Sequence, residues 1–240
     1  MNLTGKKCIV TGGAGGYGFG IACALAEAGA EVWITGRSPE KLKAAAEKCG
    51  LHWICADASK PEDWDNVFKT VGSDVAVLVN NAGFGGRIAP VAEQNDDEII
   101  ATVATNLTGV LLGCRRAAAV MGKNGCGYII NISSVCALYA WPGWSIYTAA
   151  KAGISKFSHG LYTELRPLGV HVTCVTPSWG QTSFNRNANI SGASENPELA
   201  KLCIAPSELG AAVRNIIEMP DHLAVPDITV QPMIQDISPM

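Results

Sequence analysis

A tyrosine and a lysine stand four residues apart in the segment SIYTAAK, residues 145–151. Four residues is just over one helical turn, so on a helix the Tyr147 hydroxyl and the Lys151 ammonium can meet one target. A free phenol, with a pKa near ~10, is a weak proton donor at neutral pH. An ammonium about 5 Å away, at an effective dielectric near ~20, predicts a fall of roughly two units in the pKa of Tyr147. The pair is a candidate acid for proton transfer, and the alternative is a solvated helix face.

Strand-like and helix-like segments alternate along all 240 residues, as a parallel sheet with crossover helices requires. Most of the strands are continuous apolar runs, which is typical of a sheet covered on both faces. The sequence therefore predicts one domain, residues 1–240, with an α/β fold: a doubly wound, Rossmann-type parallel sheet with helices on both faces. The predicted strands are 7–11, 31–35, 51–56, 75–80, 127–132, 170–176 and 227–231, and the predicted helices are 18–28, 39–49, one from 61, 96–121, 145–166 and 207–218.

A glycine-rich loop, TGGAGGYGFG at residues 11–20, lies between the first predicted strand and the first predicted helix. At that place glycines let the backbone approach a diphosphate, and the helix N-terminus offers free N–H groups to the anion. The loop therefore predicts a dinucleotide site, and the alternative is a flexible turn. Two glycine spacings fit: Gly13, Gly15 and Gly18 match G-x-G-x-x-G, and Gly12, Gly16 and Gly18 match G-x-x-x-G-x-G.

The end of the second predicted strand bears on the choice of dinucleotide. NAD sites usually place a carboxylate there for the ribose 2′-hydroxyl, whereas this chain has Arg37 followed by Ser38. A guanidinium pairs with a 2′-phosphate, so Arg37 predicts NADP(H) over NAD(H), unless it is only a surface arginine. Asp57 after the third strand and the segment NNAG, residues 80–83, after the fourth reach the same sheet edge, on the adenine side.

With these pieces in order, the chain resembles the short-chain dehydrogenase/reductase family over nearly its whole length. Ser134 stands thirteen residues before Tyr147, the spacing of that family's catalytic serine, and Ser133 is the less favoured neighbour. Two features depart from the family: Ser178 replaces a glycine in PSWGQT, which keeps Thr182, and the C-terminal segment lacks the glycine-rich ending of ketoacyl reductases. The matching motifs are T-G-x-x-x-G-x-G at 11–18, N-N-A-G at 80–83, Asn106 in ATNLTG, NISS at 131–134 and Y-x-x-x-K at 147–151.

The resemblance implies an NADP(H)-dependent oxidoreductase that interconverts a secondary alcohol and a ketone or aldehyde. It implies Tyr147 as proton donor, Ser134 as partner of the substrate oxygen, Lys151 as partner of the nicotinamide ribose, and Asn106 as holder of a relay water. The alternative is a sensor or scaffold that binds the nucleotide without turnover. The implied cofactor contacts are Thr11, Gly12, Gly16, Gly18, Arg37, Asp57, Asn80, Ala82, Gly83, Tyr147, Lys151, Pro177 and Thr182.

The resemblance also implies a homodimer or homotetramer formed through the helices 96–121 and 145–166, whose small residues suit close packing. A polar segment, residues 183–206, is predicted to be a mobile lid over a small-molecule substrate. Trp141, Trp144 and Trp179 flank the strand ends and make an apolar or ring-bearing substrate one of the open alternatives.

Composition excludes several other classes of protein. A net charge of −3 offers no basic footprint for nucleic acid, and no apolar run approaches the ~18 residues of a membrane span. The nine cysteines show neither C-x-x-C nor zinc-site spacing, so the sequence predicts no metal and free thiols in a reducing cytoplasm.

Overall fold

The computed structural model describes residues 1–188 and 196–236. Its seven strands form one parallel sheet in the order β3-β2-β1-β4-β5-β6-β7, which confirms the predicted doubly wound fold. The order reverses between β1 and β4, and in such sheets the crevice at this point is where ligands bind. The strands are Lys7–Thr11 (β1), Glu31–Gly36 (β2), His52–Cys55 (β3), Val75–Asn80 (β4), Gly127–Ile132 (β5), Val170–Pro177 (β6) and Asp227–Val230 (β7).

Helices cover both faces of the sheet, and β4 and β5 are therefore buried at every position. One core layer joins the sheet to α1, α2 and α9 around Leu25, Leu42 and Leu209, and the other joins it to α3, α5 and α6 around Trp64 and Ile154. The helices are Gly16–Glu27 (α1), Pro39–Cys49 (α2), Pro61–Val71 (α3), Asp96–Val103 (α4), Gly109–Asn124 (α5), Ser145–Leu165 (α6), Phe184–Asn187 (α7), Pro197–Ala200 (α8) and Pro206–Ile217 (α9).

The single helix predicted over 96–121 is interrupted by a π-helical turn at Ala104–Thr108, which separates α4 from α5. Asn106 lies in the middle of this turn and is fully buried. Its Nδ2 donates to the carbonyl of Thr102 at 3.0 Å and to that of Phe84 at 2.8 Å. A π-turn marks a local insertion in a helix and often accompanies a functional site. Hydrophobic periodicity does not reveal it, because the apolar face continues on either side.

The predicted lid, residues 183–206, contains α7 and α8, and its residues 189–195 lie outside the described part of the chain. The two ends of this segment are held together, since Gln181 N donates to Ile204 O at 2.9 Å and Ile204 N donates to Trp179 O at 2.9 Å. These two hydrogen bonds hold the ends of the segment together, as a lid would require, and the lid stays a prediction.

Two of the nine cysteines correct the free-thiol prediction. Cys23 on α1 and Cys49 at the end of α2 form a disulfide with a Cα–Cα distance of 5.7 Å. Sequence reasoning missed it because the fold packs α1 beside α2 and so joins two cysteines that are 26 residues apart, a separation that no spacing rule describes. Among the described residues, no helix is long and apolar enough to cross a membrane, and no group of three or more His, Cys, Asp or Glu side chains could hold a metal ion.

Candidate active site

A cavity of about 460 Å³ opens at the carboxyl edge of the sheet, at the switch point between β1 and β4. The glycine-rich loop before α1 forms one wall, and the loop after β4 forms the next. The end of β5, the first turns of α6 and the loop after β6 complete it. Among the residues implied as cofactor contacts, those that line it are Gly12, Gly16, Ala82, Gly83, Tyr147, Lys151, Pro177 and Thr182.

The glycine-rich loop has a shape that only glycines permit at two positions. Gly12 has a φ of +65°, and a Cβ on it would lie 2.9 Å from the Asn81 amide nitrogen. A Cβ on Gly18 would lie 2.4 Å from the carbonyl of Gly12. A Cβ on Gly15 would meet no atom within 4 Å, and α1 has neither a side-chain N-cap bond nor an acidic residue in its first turn. The loop thus fits a dinucleotide diphosphate, which needs open space and uncapped N–H groups.

Two residues that sequence reasoning assigned to the cofactor are instead used inside the protein. Thr11 is buried, and its hydroxyl accepts hydrogen bonds from the N–H groups of Asn81 and Ala82, both at 2.9 Å. Asn80 faces the core, where its Nδ2 donates to Asn131 Oδ1 at 2.8 Å. Both side chains therefore fix the walls of the cavity, and a contact of either residue with the cofactor stays a prediction.

Asn81, the second asparagine of the NNAG segment, is the cavity residue that was missed. Alternation along β4 turns Asn80 inward, so its neighbour Asn81 turns towards the glycine-rich loop. Its Nδ2 donates to the carbonyl of Thr11 at 2.9 Å. Asn81 therefore connects the loop after β4 to the glycine-rich loop.

Tyr147 and Lys151 lie one turn apart on the first turns of α6 and are both buried. The Tyr147 side chain lies beside the Ser134 hydroxyl, which accepts a hydrogen bond from the N–H of Cys136 at 3.2 Å. The Nζ of Lys151 lies 5.6 Å from the centroid of the Tyr147 ring and donates to the carbonyl of Ile132 at 3.0 Å. The fold thus brings the phenol and the ammonium to one end of the cavity, whose lining includes Ser133 and Val135 but not Ser134.

Burial controls the protonation of this pair. It raises the pKa of Tyr147 far above its ordinary value; the neighbouring Cys136 adds to the rise, and the hydrogen bond to Ser134 only partly offsets it. Burial also lowers the pKa of Lys151 to about 8. The prediction of a net fall in the pKa of Tyr147 is wrong for this structure, because it counted the attraction between the charges and left out their desolvation.

The neighbouring serine has a different environment. Ser133 is buried, donates to the carbonyl of Lys151 at 3.0 Å, and shares a hydrogen bond with Ser155 at 2.9 Å. It therefore attaches the end of β5 to α6. Asn106 is also engaged, since Phe84 N donates to its Oδ1 at 3.2 Å. Its amide holds the loop after β4 in place, and the relay role remains a prediction.

Arg37 is exposed at the end of β2, and Asp57 follows β3 beside it. The pKa of Asp57 is lowered overall. Partial burial alone would raise it, but hydrogen bonds from the Ser59 N–H and hydroxyl, together with the charges of Arg37 and Lys60, outweigh that effect. Arg37 therefore has an acidic neighbour in space that the sequence did not reveal. Within the described residues the guanidinium makes no ion pair, so it is available to a phosphate.

Aromatic side chains close the end of the cavity near Tyr147. The Trp144 ring lies 5.7 Å from that of Tyr147 and is stacked on Phe184 at 6.4 Å, and Phe184 lies 5.5 Å from Tyr147. Sequence reasoning identified Trp144 but missed Phe184, which lies in the segment that it treated as polar. Other lining residues that it missed include Tyr17, Phe84, Ile132, Val135, Cys136 and Gln235.

A parallel sheet with a glycine-rich loop at its switch point defines the class of dinucleotide-binding α/β proteins. Residues 6–191 match the family model described as short chain dehydrogenase. An uncharacterized oxidoreductase of Staphylococcus aureus (strain MRSA252) is 30% identical over 238 residues, covering 96% of this chain and 99% of the relative. The 3-oxoacyl-[acyl-carrier-protein] reductase FabG of Chlamydia trachomatis serovar D is 36% identical over 196 residues, covering 78% and 79%. The chain belongs to the short-chain dehydrogenase family and is an oxidoreductase of that family.

Solved structures share the fold over nearly the whole chain. A metagenomic short-chain oxidoreductase in complex with NADP has a TM-score of 0.82 and 27% identity, covering 98% of this chain and 100% of the other. The 3-ketoacyl-(acyl-carrier-protein) reductase of Brucella melitensis complexed with NADH has a TM-score of 0.87 and 25% identity, covering 95% and 98%. Proteins of this fold thus bind either nicotinamide dinucleotide.

Proposed function

We propose that this protein interconverts a secondary alcohol and a ketone or aldehyde with NADP(H), using Tyr147 as the acid and base. The observation that carries the proposal is that Tyr147 and Lys151 line one cavity, with the ammonium 5.6 Å from the centre of the ring and Ser134 beside the phenol. A phenol at one end of a cavity, with a serine hydroxyl beside it, can bind a carbonyl oxygen together with that serine.

In ketone reduction, the bound nicotinamide supplies the hydride. Tyr147 donates its proton to the substrate oxygen, and Ser134 donates a hydrogen bond to the same oxygen as negative charge develops on it. A phenol with a pKa raised by burial stays protonated at neutral pH, so it carries the proton to be donated, but burial also makes it a weaker acid than a free phenol. Lys151, held against the end of β5 by its bond to Ile132, supplies a positive charge that stabilises the resulting phenolate.

The proposed preference for NADP(H) over NAD(H) is supported by Arg37, which is exposed at the end of β2. A 2′-phosphate bound there gains a charge-assisted hydrogen bond, worth about 1.5–3 kcal/mol. Asp57, which we assign to the adenine half of the cofactor, lies close enough to Arg37 for the guanidinium to lower its pKa, so its carboxylate offsets part of the positive charge there. The two cofactors bound by related structures leave this choice to experiment.

Assembly as a homodimer or homotetramer through α4, α5 and α6 belongs to the proposal, as does a cytoplasmic location. Ile100 on α4 is 64% exposed, a large apolar side chain on one of the proposed faces. Ala117 is fully buried in the core and cannot contact a second chain. The small residues of α5 that can do so are Ala118 and Ala119. Light scattering at micromolar concentration should give the mass of two or four chains, and a stable monomer would contradict this assembly.

The test of the proposed function is NADPH oxidation measured against a panel of aldehydes, cyclic ketones, acyclic ketones, sugars and oxoacyl thioesters. Turnover of at least one carbonyl class, lost in Tyr147→Phe, is the expected result. A protein that binds NADPH but reduces no member of the panel, and oxidises none of the corresponding alcohols, would instead be the sensor or scaffold.

A further inference from the structure

The substrate end of the cavity is built from flat apolar surfaces. Around Tyr147, the rings of Trp144 and Phe184 are nearly parallel, with an interplanar angle of 16°. Trp141 and Trp179 also line the cavity, and we call these four side chains, Trp141, Trp144, Trp179 and Phe184, the aromatic wall. Aromatic rings provide a large contact area and stack favourably on other rings, beyond the gain from burying their area.

Charged groups are nearly absent from this end. Of the described residues that line the cavity, Lys151 is the one charged side chain, and it is buried beside Tyr147 with its Nζ bonded to Ile132. The residues outside the described ranges, 189–195 and 237–240, include no Lys, Arg or His in the sequence. Arg186 and Lys201 line a neighbouring cavity beside Gly16, on the side of the glycine-rich loop.

Several polar side chains near the wall are bonded within the protein. The hydroxyl of Ser178 donates to Oε1 of Gln235, and the hydroxyl of Tyr17 donates to the carbonyl of Ser178 at 3.1 Å. These contacts join the glycine-rich loop, the end of β6 and the C-terminal segment. Tyr147, which lines the cavity and has Ser134 beside it, is the hydroxyl that we assign to the substrate oxygen.

We propose that the substrate is a compact, uncharged ketone whose carbonyl is attached to a planar ring, with the ring lying against the aromatic wall. This inference rests on the proposed function and names its substrate class. A carboxylate or phosphate on the substrate would be buried without a counter-ion of its own, at a cost of several kcal/mol. The cavity of about 460 Å³ must also hold the nicotinamide end of the cofactor, which restricts the substrate to a small body.

Four substrates separate the alternatives when kcat/KM is measured with saturating NADPH: acetophenone, 4-acetylbenzoate, 2-octanone and the acetoacetyl thioester of N-acetylcysteamine. We expect acetophenone to exceed 4-acetylbenzoate by about a hundredfold, because the carboxylate is left unpaired. It should exceed 2-octanone by about tenfold through ring contacts. A preference for the carboxylate, the acyclic ketone or the thioester would overturn the inference and leave the proposed function standing.

Variants of the aromatic wall test the cause. Trp144→Leu and Phe184→Leu should each lower the ratio of kcat/KM for acetophenone over 2-octanone by about threefold or more, as expected for loss of a ring contact. A general defect in folding would lower both substrates equally and leave the ratio unchanged. Trp53→Leu is the matched control, since Trp53 is 39% exposed on β3 and does not line the cavity. An unchanged ratio in both wall variants would contradict the assigned position of the ring.

Equilibrium binding separates failure of this inference from failure of the proposed function. Quenching of tryptophan fluorescence by acetophenone, and by 4-acetylbenzoate, is measured on the NADP⁺-bound protein, and Trp144→Leu is compared with Trp53→Leu. Tighter binding of acetophenone, weakened by Trp144→Leu alone, supports the ring site even if no ketone in the panel is reduced. Equal or tighter binding of 4-acetylbenzoate overturns it.

Discussion

The Nζ atom of Lys151 donates to the carbonyl of Ile132 at 3.0 Å and lies 5.6 Å from the centre of the Tyr147 ring. The end of β5 therefore sets the position of the ammonium, and α6 sets the distance from the ammonium to the phenol. Both groups are almost completely buried, and burial disfavours the charged form of each: the ammonium of Lys151 and the phenolate of Tyr147.

Replacing Lys151 by methionine should stabilise the protein at neutral pH. Burial lowers the pKa of this ammonium from 10.5 to about 8, so below pH 8 the folded state carries the full cost of a buried charge. Between the folded and unfolded values the unfolded chain binds more protons, and stability rises with pH. Lys151→Met should raise the free energy of unfolding by about 2 kcal/mol at pH 7, a figure that already subtracts the lost hydrogen bond to Ile132. This increase should shrink towards pH 10. Urea denaturation of both proteins at pH 7, 8.5 and 10 measures it; a gap that widens with pH would be the wrong sign.

Replacing Lys151 by alanine should impair both turnover and the binding of NADPH. Lys151→Ala removes the charge that stabilises the Tyr147 phenolate and the proposed contact to the nicotinamide ribose, so turnover and affinity for NADPH should both fall. Steady-state kinetics and titration of NADPH fluorescence measure the two separately. Unchanged cofactor affinity would show that the ribose contact is wrong, even if turnover is lost.

Cofactor choice should depend on Arg37. We expect the wild-type protein to bind NADPH at least tenfold tighter than NADH, which corresponds to about 1.4 kcal/mol. Arg37→Ala should remove most of that difference and barely change the affinity for NADH. Arg166→Ala is the control, because this exposed arginine precedes β6 at the opposite edge of the sheet. Equal affinities in the wild-type protein would show that Arg37 does not meet the 2′-phosphate.

The disulfide between α1 and α2 should contribute to stability. It joins residues 26 positions apart, and closing a loop of that size is worth about 3 kcal/mol in the unfolded chain. Cys23→Ser combined with Cys49→Ser should lower the free energy of unfolding by about that amount in oxidising buffer. Cys55→Ser with Cys126→Ser, two exposed free cysteines, should change it little. Rapid labelling of Cys23 and Cys49 by a maleimide in the native protein would contradict the bond.

Much of the fold could be predicted from the sequence because each strand is a continuous apolar run bounded by turns. The strands β1, β4 and β5 begin and end at the predicted residues. The π-turn around Asn106 could not be predicted, because it arises from bonds to Phe84, a residue 22 positions away. The Cys23–Cys49 pairing is equally non-local.

Within the site, spacing along one helix was enough to place Tyr147 beside Lys151. Which of two adjacent residues faces a cavity was harder to predict. Asn80 and Asn81 have the same side chain, and only the pleat of β4 against α5 decides that Asn80 enters the core. The pKa of Tyr147 also required the fold, because burial of the phenol is set by Trp144 and Phe184 from separate segments.

The central claim, that Tyr147 donates the proton in carbonyl reduction, is tested most directly by Tyr147→Phe. This change removes one hydroxyl, keeps the ring between Trp144 and Phe184, and leaves Lys151 bound to Ile132. General acid catalysis contributes about 10²–10⁴-fold, so NADPH oxidation with the best ketone should fall by at least a hundredfold. NADPH affinity, measured by fluorescence titration of the same protein, should stay within about threefold of the wild-type value, since a hydroxyl lost from the catalytic end removes little binding energy. Turnover above a tenth of the wild-type rate, with NADPH still bound, would show that the proton comes from another group.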